Sequence, residues 1–294
     1  MVSNSPKVCV IMPVYNGAKT IKYALASLVR QTYKNWECII VNDGSTDGTK
    51  AILDSLNDIR FKVYHLEKNS GRGIAREEAL RHAQGKYLCY LDADDMLHED
   101  KIRLQVEYLE QNPDILLVGC GKIDISENFD AQRASFNDIP RSNVYRYGQA
   151  LPLTLPASMV RLDRALTFHY DSFLDVGEDY DYFSRYCDGG RYASLPVPYY
   201  YYMVGNVNAR KLLYYQWNDI RGGIVRIKNG LILNGIYYSI IRFFKLIGYS
   251  ILVSIFGPER IVGTIRKKHI DCDLQLAYDL QFTKIKEVIS SSVL

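Results

Sequence analysis

The feature that most constrains this chain is a regular alternation, over its first hundred residues, between short apolar runs and segments with helical spacing. Val8-Cys9-Val10-Ile11-Met12 is closed by Pro13 and reads as a buried parallel strand. Apolar residues then fall at Ile21, Ala24, Leu25, Leu28 and Val29, one face of a helix. Trp36 to Val41 predicts a second strand, ended by Asn42-Asp43-Gly44-Ser45. A helix from about Thr49 to Leu56 follows, then a strand from Phe61 to Leu66, a Gly-containing loop, a helix from about Ile74 to Ala83 and a strand from Tyr87 to Leu91. Strands alternating with helices in this way build βαβ units. The expected fold is therefore α/β, with a Rossmann-like, mostly parallel central sheet flanked by helices.

Right-handed crossovers bring the C-terminal ends of such strands to one sheet edge, where open α/β sheets bind ligands. Tyr15-Asn16, Asp43 and Asp92-Asp94-Asp95 should converge there, although dozens of residues separate them. The stretch Tyr90-Leu91-Asp92-Ala93-Asp94-Asp95 concentrates acid directly after an apolar run. A strand exit leading into a helix N-terminus would use one or two such aspartates as caps. The other reading is a hard divalent cation, Mn2+ or Mg2+, held through one or two carboxylates while a phosphate-bearing ligand completes its shell.

Beyond this region a helix from about Glu99 to Gln111 and a strand near Ile115 to Val118 are expected. Glu127 to Leu151 reads as a long polar excursion of the kind that recognises substrate. A helix starts near Val176 to Glu178 and runs to Cys187, with Glu178, Asp179 and Asp181 placed where a helix dipole favours carboxylates. Tyr192 to Met203 carries two prolines and reads as edge strand or loop, its tyrosine run giving alternately exposed rings. Residues 1–205 are taken as one domain with halves of about 1–121 and 122–205, and residues 206–294 as a helical, amphipathic C-terminal extension.

Five ordered motifs together resemble the family 2 inverting glycosyltransferases of the GT-A fold. They are Val10 to Asn16, Ile40 to Asp47, Asn69-Ser70-Gly71 with Ala75-Arg76, Tyr90 to Asp95, and Gly177-Glu178-Asp179. The resemblance covers roughly residues 7–205. It implies a nucleotide-sugar donor, most often UDP-linked, whose base is contacted by Asp43. Tyr15 and Asn16 would line the base and ribose pocket with Pro13 and Ala93 beside them, Asp92 would sit near the ribose or donor sugar, and Asp94 would ligate the metal. Arg72 and Arg76 would share in neutralising the diphosphate. Asp179 would take the acceptor's proton, with Glu178 in support. This sequence departs from the family at Asn42, where many relatives have a second Asp, at Glu77, where Asn is common, and at Met203-Val204-Gly205-Asn206, where Arg and His are frequent.

Charge separates the C-terminal part from the rest. Residues 205–270 hold eleven Lys/Arg against only Asp219 and Glu259, a net +9, so the overall +3 leaves the remainder at −6. An anionic membrane surface suits that pattern better than nucleic acid. Leu231 to Phe256 is apolar but interrupted by Asn234, Arg242 and Lys245, and the unbroken piece from Leu246 is about half of a bilayer span. An interfacial helix is expected, with Ile236, Ile240, Phe244, Ile247, Ile251 and Ile255 on one face and Arg260, Arg266, Lys267 and Lys268 meeting headgroups. The alternative is a helix packed on the body or on a second copy in a homodimer. Six cysteines without a CxxC pair, and an N-terminus without a signal-peptide core, suggest a cytoplasmic chain, peripheral on the inner face of the plasma membrane. The resemblance and the basic tail together imply a saccharide acceptor on a polyprenyl diphosphate lipid. A metal-dependent nucleotidyltransferase and a non-catalytic sugar-nucleotide-binding subunit remain as rival readings.

Overall fold

The computed structural model describes residues 5–136, 139, 144–149, 151–205, 209–257 and 270–291. Its first half follows the alternation in the sequence: β1 (Val8–Val14), α1 (Ile21–Val29), β2 (Trp36–Asn42), α2 (Thr49–Asp54), β3 (Phe61–His65), α3 (Arg72–Arg81) and β4 (Tyr87–Tyr90). The two-residue β5 (Met96–Leu97), α4 (Lys101–Gln111), β6 (Ile115–Ile125), β7 (Ala131–Ser135), β8 (Met159–Arg161), α5 (Leu162–Ala165), α6 (Glu178–Cys187) and β9 (Arg191–Met203) follow. Three helices close the described chain: α7 (Ala209–Lys228), α8 (Ile232–Phe256) and α9 (Cys272–Ser290).

All nine strands join one sheet of order β3-β2-β1-β4-β8-β6-β9-β5, with β7 paired to β6. Strand alternation sends β1 side chains to two cores. Val8, Val10 and Met12 face α1 and α4, whereas Cys9 and Ile11 face α3 and α6. All seven β1 residues are buried. Each fully buried aliphatic side chain contributes roughly 1.5–3 kcal/mol, so β1 is a fixed rail from which the loop after Val14 projects.

The second half departs from the sequence reading. β3, β2, β1 and β4 are parallel, but β8 runs antiparallel to both β4 and β6. With three residues, β8 is too short to show a periodicity. The proposed division at 121/122 falls inside β6, an unbroken strand, so both halves share one sheet. β9 is no edge strand, because it lies between β6 and β5. Its two prolines sit where the β6–β9 register shifts between Cys120, opposite Leu195, and Lys122, opposite Tyr200. The missing N–H groups thus fall in a bulge rather than at an edge. Its rings do not alternate in exposure either. Tyr200 and Tyr201 are both buried, since Tyr201 meets Tyr278 of α9 edge-on on the other side of the sheet.

α9 returns to the body beside α1, where the Tyr278 hydroxyl donates to the Phe129 carbonyl (2.7 Å). Gln281 and Lys284 both donate to Glu99 Oε1, at 3.0 and 2.9 Å, while Arg30 holds its Oε2. α7 and α8 form a hairpin closed by backbone-to-backbone approach. A Cβ on Gly235 would lie 2.5 Å from the Gly223 carbonyl oxygen. The outer face of α8 exposes Ile236, Ile240, Phe244, Ile247, Ile251 and Ile255, while Arg242 turns inward to Asp219 (3.1 Å). Among the described residues no helix is long and apolar enough to cross a membrane. Arg260, Arg266, Lys267 and Lys268 lie outside the described residues, as does Asn206.

Candidate active site

A cavity of about 850 Å³ opens at the C-terminal edge of β1, β2 and β4. Pro13, Tyr15, Asn16, Asp43, Arg72, Asp92, Ala93 and Asp94 all line it, and Arg76, Glu178 and Asp179 do not. Each wall can be traced to its chain segment.

The β1 exit bends at Asn16, whose φ of 52° lies in the left-handed region that Asn tolerates better than most residues. Its side-chain Oδ1 accepts from the Thr46 N–H (2.8 Å) and its backbone N–H donates to Ser45 Oγ (2.9 Å). Asn16 therefore braces the loop after β2 as well as forming wall. In that loop Gly44 has φ +63°, and a Cβ there would lie 2.4 Å from the Lys68 carbonyl carbon, so only glycine permits the approach. The contact brings the loop before α3 against Asp43, whose two oxygens accept from the Ser70 and Gly71 N–H groups (2.7 and 2.9 Å). A carboxylate has about four acceptor positions, so this anchoring leaves capacity toward the cavity. Asn42 is not in the cavity wall. Its oxygen accepts from the Ser45 N–H (3.1 Å), and its amide meets His65 Nδ1 (2.9 Å).

The three aspartates after β4 have three different surroundings. Asp95 is buried and accepts from the Tyr200 hydroxyl (2.6 Å) and the Met203 N–H (2.7 Å), locking β4 to β9. Burial first, then the charges of Asp94 and Asp92, push its carboxyl well above the ordinary range. Asp92 accepts at Oδ1 from Arg76 Nη2 (2.8 Å). Asp94 is the exposed member and faces the cavity. Among the described residues, no three His, Cys, Asp or Glu side chains are grouped to hold a metal by themselves. One exposed carboxylate with a second close by fits a hard cation that takes much of its shell from a ligand's phosphate oxygens.

Arg76 lies beneath the cavity rather than in it. It is 4% exposed and donates at Nη1 to Glu178 Oε1 (2.6 Å) while its Nη2 holds Asp92. The solvent-facing cation is Arg72, whose side chain is 52% exposed and whose Nε lies 3.5 Å from Glu178 Oε1. Glu178 is 1% exposed, and its Oε2 has no hydrogen-bond partner among the described residues. Burial pushes its carboxyl up against the pull of Arg76, and the Asp179 charge adds to the push. Asp179 is half-buried and accepts at Oδ1 from the Tyr180 N–H (2.7 Å). Gly177, at φ +80°, turns the chain into α6 so that both acids sit in its first turn.

Several wall residues had no clear sequence signal. Tyr202 lines the cavity within the field of both acidic groups. Burial, followed by the charges of Asp95, Asp92, Asp94 and Asp179, pushes its hydroxyl above the usual tyrosine range. Glu127 and Phe129, from the polar excursion, close another side with Met203 to Gly205. Glu77 accepts from the Tyr170 N–H (3.0 Å) and His169 Nδ1 (2.7 Å), so the departure from Asn ties α3 to the segment before α6.

Comparison with known proteins agrees with this geometry. The Glycosyl transferase family 2 model matches residues 9–167. TuaG of Bacillus subtilis, described as a putative teichuronic acid biosynthesis glycosyltransferase, is 43% identical over 111 residues, which are 37% of this chain and 44% of TuaG. WfgD of Escherichia coli, a UDP-Glc:α-D-GlcNAc-diphosphoundecaprenol β-1,3-glucosyltransferase, is 35% identical over 105 residues, 36% of this chain and 42% of WfgD. The chain thus spans less than half the length of these curated relatives. Among solved structures, S. aureus TarS 1-349 in complex with UDP superposes with a TM-score of 0.58 at 23% identity, covering 74% of this chain and 65% of that one. The TarS 1-349 crystal structure alone covers 98% and 83% at a TM-score of 0.59 and 20% identity. These likenesses fix a GT-A fold, and the family model matches more than half of the sequence: the chain belongs to glycosyl transferase family 2.

Proposed function

We propose that this protein is an inverting, metal-dependent glycosyltransferase that moves a sugar from a UDP-linked donor to a hydroxyl of a saccharide borne on a polyprenyl diphosphate lipid, in surface-polysaccharide synthesis. The observation that carries the proposal is the Asp92–Arg76–Glu178 bridge. It fastens the acidic rim that would face the donor diphosphate to the helix end that bears Asp179.

Asp43 receives the base, with Tyr15 and Asn16 along the nucleoside and Pro13 and Ala93 closing the pocket. Asp94, with Asp92 nearby, would hold Mn2+ or Mg2+, which when bound supplies positive charge to the leaving diphosphate. Arg72 adds a second cation at the open side. Inversion requires the acceptor oxygen to approach from the face of the sugar opposite the leaving group. A base on α6, separate in sequence from the Asp92–Asp95 turn, meets that need. Asp179 removes the acceptor proton. Glu178, sealed against Arg76, sets the first turn of α6 rather than exchanging protons with the acceptor. The apolar face of α8 lies on an anionic membrane surface on the cytoplasmic side, near the lipid-borne acceptor. The TuaG and WfgD descriptions and the UDP complex of TarS support donor, acceptor class and pathway type.

A panel of nucleotide-sugars, screened for metal-dependent transfer or thermal stabilisation, tests this directly. Asp179→Asn should lower transfer on the order of 100-fold or more while leaving UDP affinity within about twofold. Undiminished transfer by that variant would remove Asp179 as base. Pyrophosphate release from a nucleoside triphosphate would instead identify a nucleotidyltransferase.

A further inference from the structure

A second cavity, of about 430 Å³, lies between α6, the α7–α8 hairpin and the segment around Tyr147. Gly177, which caps α6, and Tyr180, Asp181 and Ser184 within it reach its wall, so the wall takes in the residue two before Asp179 and the one directly after it. On the far wall stand Arg226 and Arg242, both over the ring of Tyr238, at 4.0 and 4.8 Å from its centroid.

The charge pairing around this cavity is incomplete. Arg185 is held by Asp181 (2.7 Å), Arg242 by Asp219 (3.1 Å) and Arg221 by Asp175. Arg226 has no carboxylate within 4 Å among the described residues, although it is only 7% exposed. Its Nη1 donates to neutral oxygens instead, Asn234 Oδ1 at 2.8 Å and the Gly148 carbonyl at 3.4 Å. The carboxylate whose field it feels, Asp219, is already engaged by Arg242, so a cavity beside this buried guanidinium offers the place for an anion to add counter-charge. Arginine's planar fork suits phosphate oxygens, whereas the Tyr147 and Tyr180 hydroxyls already donate to Asp181 (3.1 Å) and to the Gln149 carbonyl (2.9 Å). The helix that carries Tyr238 and Arg242 on this side carries the exposed apolar stripe on its other side.

The geometry points to an acceptor site: we propose that this cavity takes the diphosphate of the lipid-linked acceptor, with Arg226 as its counter-ion and the α8 stripe beside its hydrocarbon chain. This rests on the glycosyltransferase reading. It deepens that reading by placing the acceptor's anionic group on the side of α6 away from the donor cavity, with Asp179 between them.

Farnesyl diphosphate serves as a probe, titrated by calorimetry into the full chain in the presence of saturating UDP and Mn2+. Arg226→Gln should weaken its binding about tenfold or more and leave UDP affinity unchanged, and Arg226→Lys should recover part of the loss. In the unaltered chain, the probe should slow hydrogen exchange in peptides covering residues 218–242, a readout that holds even if the glutamine variant does not fold. Three results would overturn the proposal: equal probe affinity in folded Arg226→Gln, competition of the probe with UDP, or slowed exchange confined to residues 13–17 and 92–95. Phosphatidylglycerol vesicles that bind through Arg226 when farnesyl diphosphate does not would also overturn it, assigning the cavity to a membrane headgroup. Failure of UDP itself to bind would strike the donor reading, not this one.

Discussion

Arg76 is where the fold and the proposed chemistry can be tested with one substitution. Its guanidinium holds Asp92, 16 residues on, and Glu178, 102 residues on, with bonds of 2.8 and 2.6 Å, and is 4% exposed. In Arg76→Met the side chain keeps most of its volume but loses its charge. Glu178, 1% exposed and with Oε2 already lacking a partner among the described residues, then keeps only the half-exposed Arg72, 3.5 Å away, as counter-charge. Breaking a buried pair from one side costs about 3–5 kcal/mol at neutral pH. Glu178→Gln removes the stranded charge, so Arg76→Met/Glu178→Gln should be more stable than Arg76→Met alone by about 1 kcal/mol or more. The pH dependence follows from the raised Glu178 carboxyl. A carboxyl raised on folding binds its proton more tightly in the native state, so stability falls as pH climbs from its unfolded value through its folded one. Without Arg76 the folded value rises further, so the deficit of Arg76→Met should shrink on acidification. Urea titrations followed by circular dichroism at several pH values measure all three quantities. A cost below about 1 kcal/mol, or no rescue by Glu178→Gln, would refute the buried bridge.

Other outcomes follow from particular contacts. Asp94→Asn should weaken UDP-sugar binding about tenfold or more in Mn2+ and leave it unchanged in chelator; equal weakening in both would exclude Asp94 as the metal ligand. Burial alone would raise Glu99, 16% exposed, but Lys284, Gln281 and Arg30 outweigh it and bring its carboxyl down from 4.5 to about 2. The stability this adds is present above about pH 4.5 and is lost as pH falls toward 2, an upper limit on the order of 3 kcal/mol. Glu99→Gln should therefore loosen α9, seen as faster exchange in residues 272–290, and flatten the acid limb of the stability curve. Replacing Ile240, Phe244 and Ile251 with serine should abolish co-sedimentation with anionic vesicles without lowering Tm; unchanged sedimentation would mean that α8 does not lie on the membrane. Because α9 docks on the body, removing everything after residue 230 would also strip contacts from Glu99 and Phe129.

The Rossmann-like half was legible because its information is local. Each strand is a short apolar run, each helix a stripe, and crossover handedness then brings Asn16, Asp43 and Asp92 to one edge without further knowledge. The duties of individual charges were less legible. Arg76 and Arg72 are alike on paper, and only the 102-residue reach from Arg76 to Glu178 separates a buried tie from an open cation. Asp95 looked like a fellow of Asp94 but belongs to β9, through Tyr200 and Met203. Two prolines signalled an edge because a local rule cannot see the register shift opposite them. The apolar stripe of α8 was visible from its period, whereas the docking of α9 depends on Glu99, Phe129 and Tyr201, partners far away in the chain.

A crystal structure of the full chain with UDP and Mn2+ tests the central claim most directly. The base should contact Asp43, and the ion should lie between Asp94 and the diphosphate, in the cavity that Tyr202 closes. Nucleotide bound elsewhere, or an ion remote from Asp94, would contradict it.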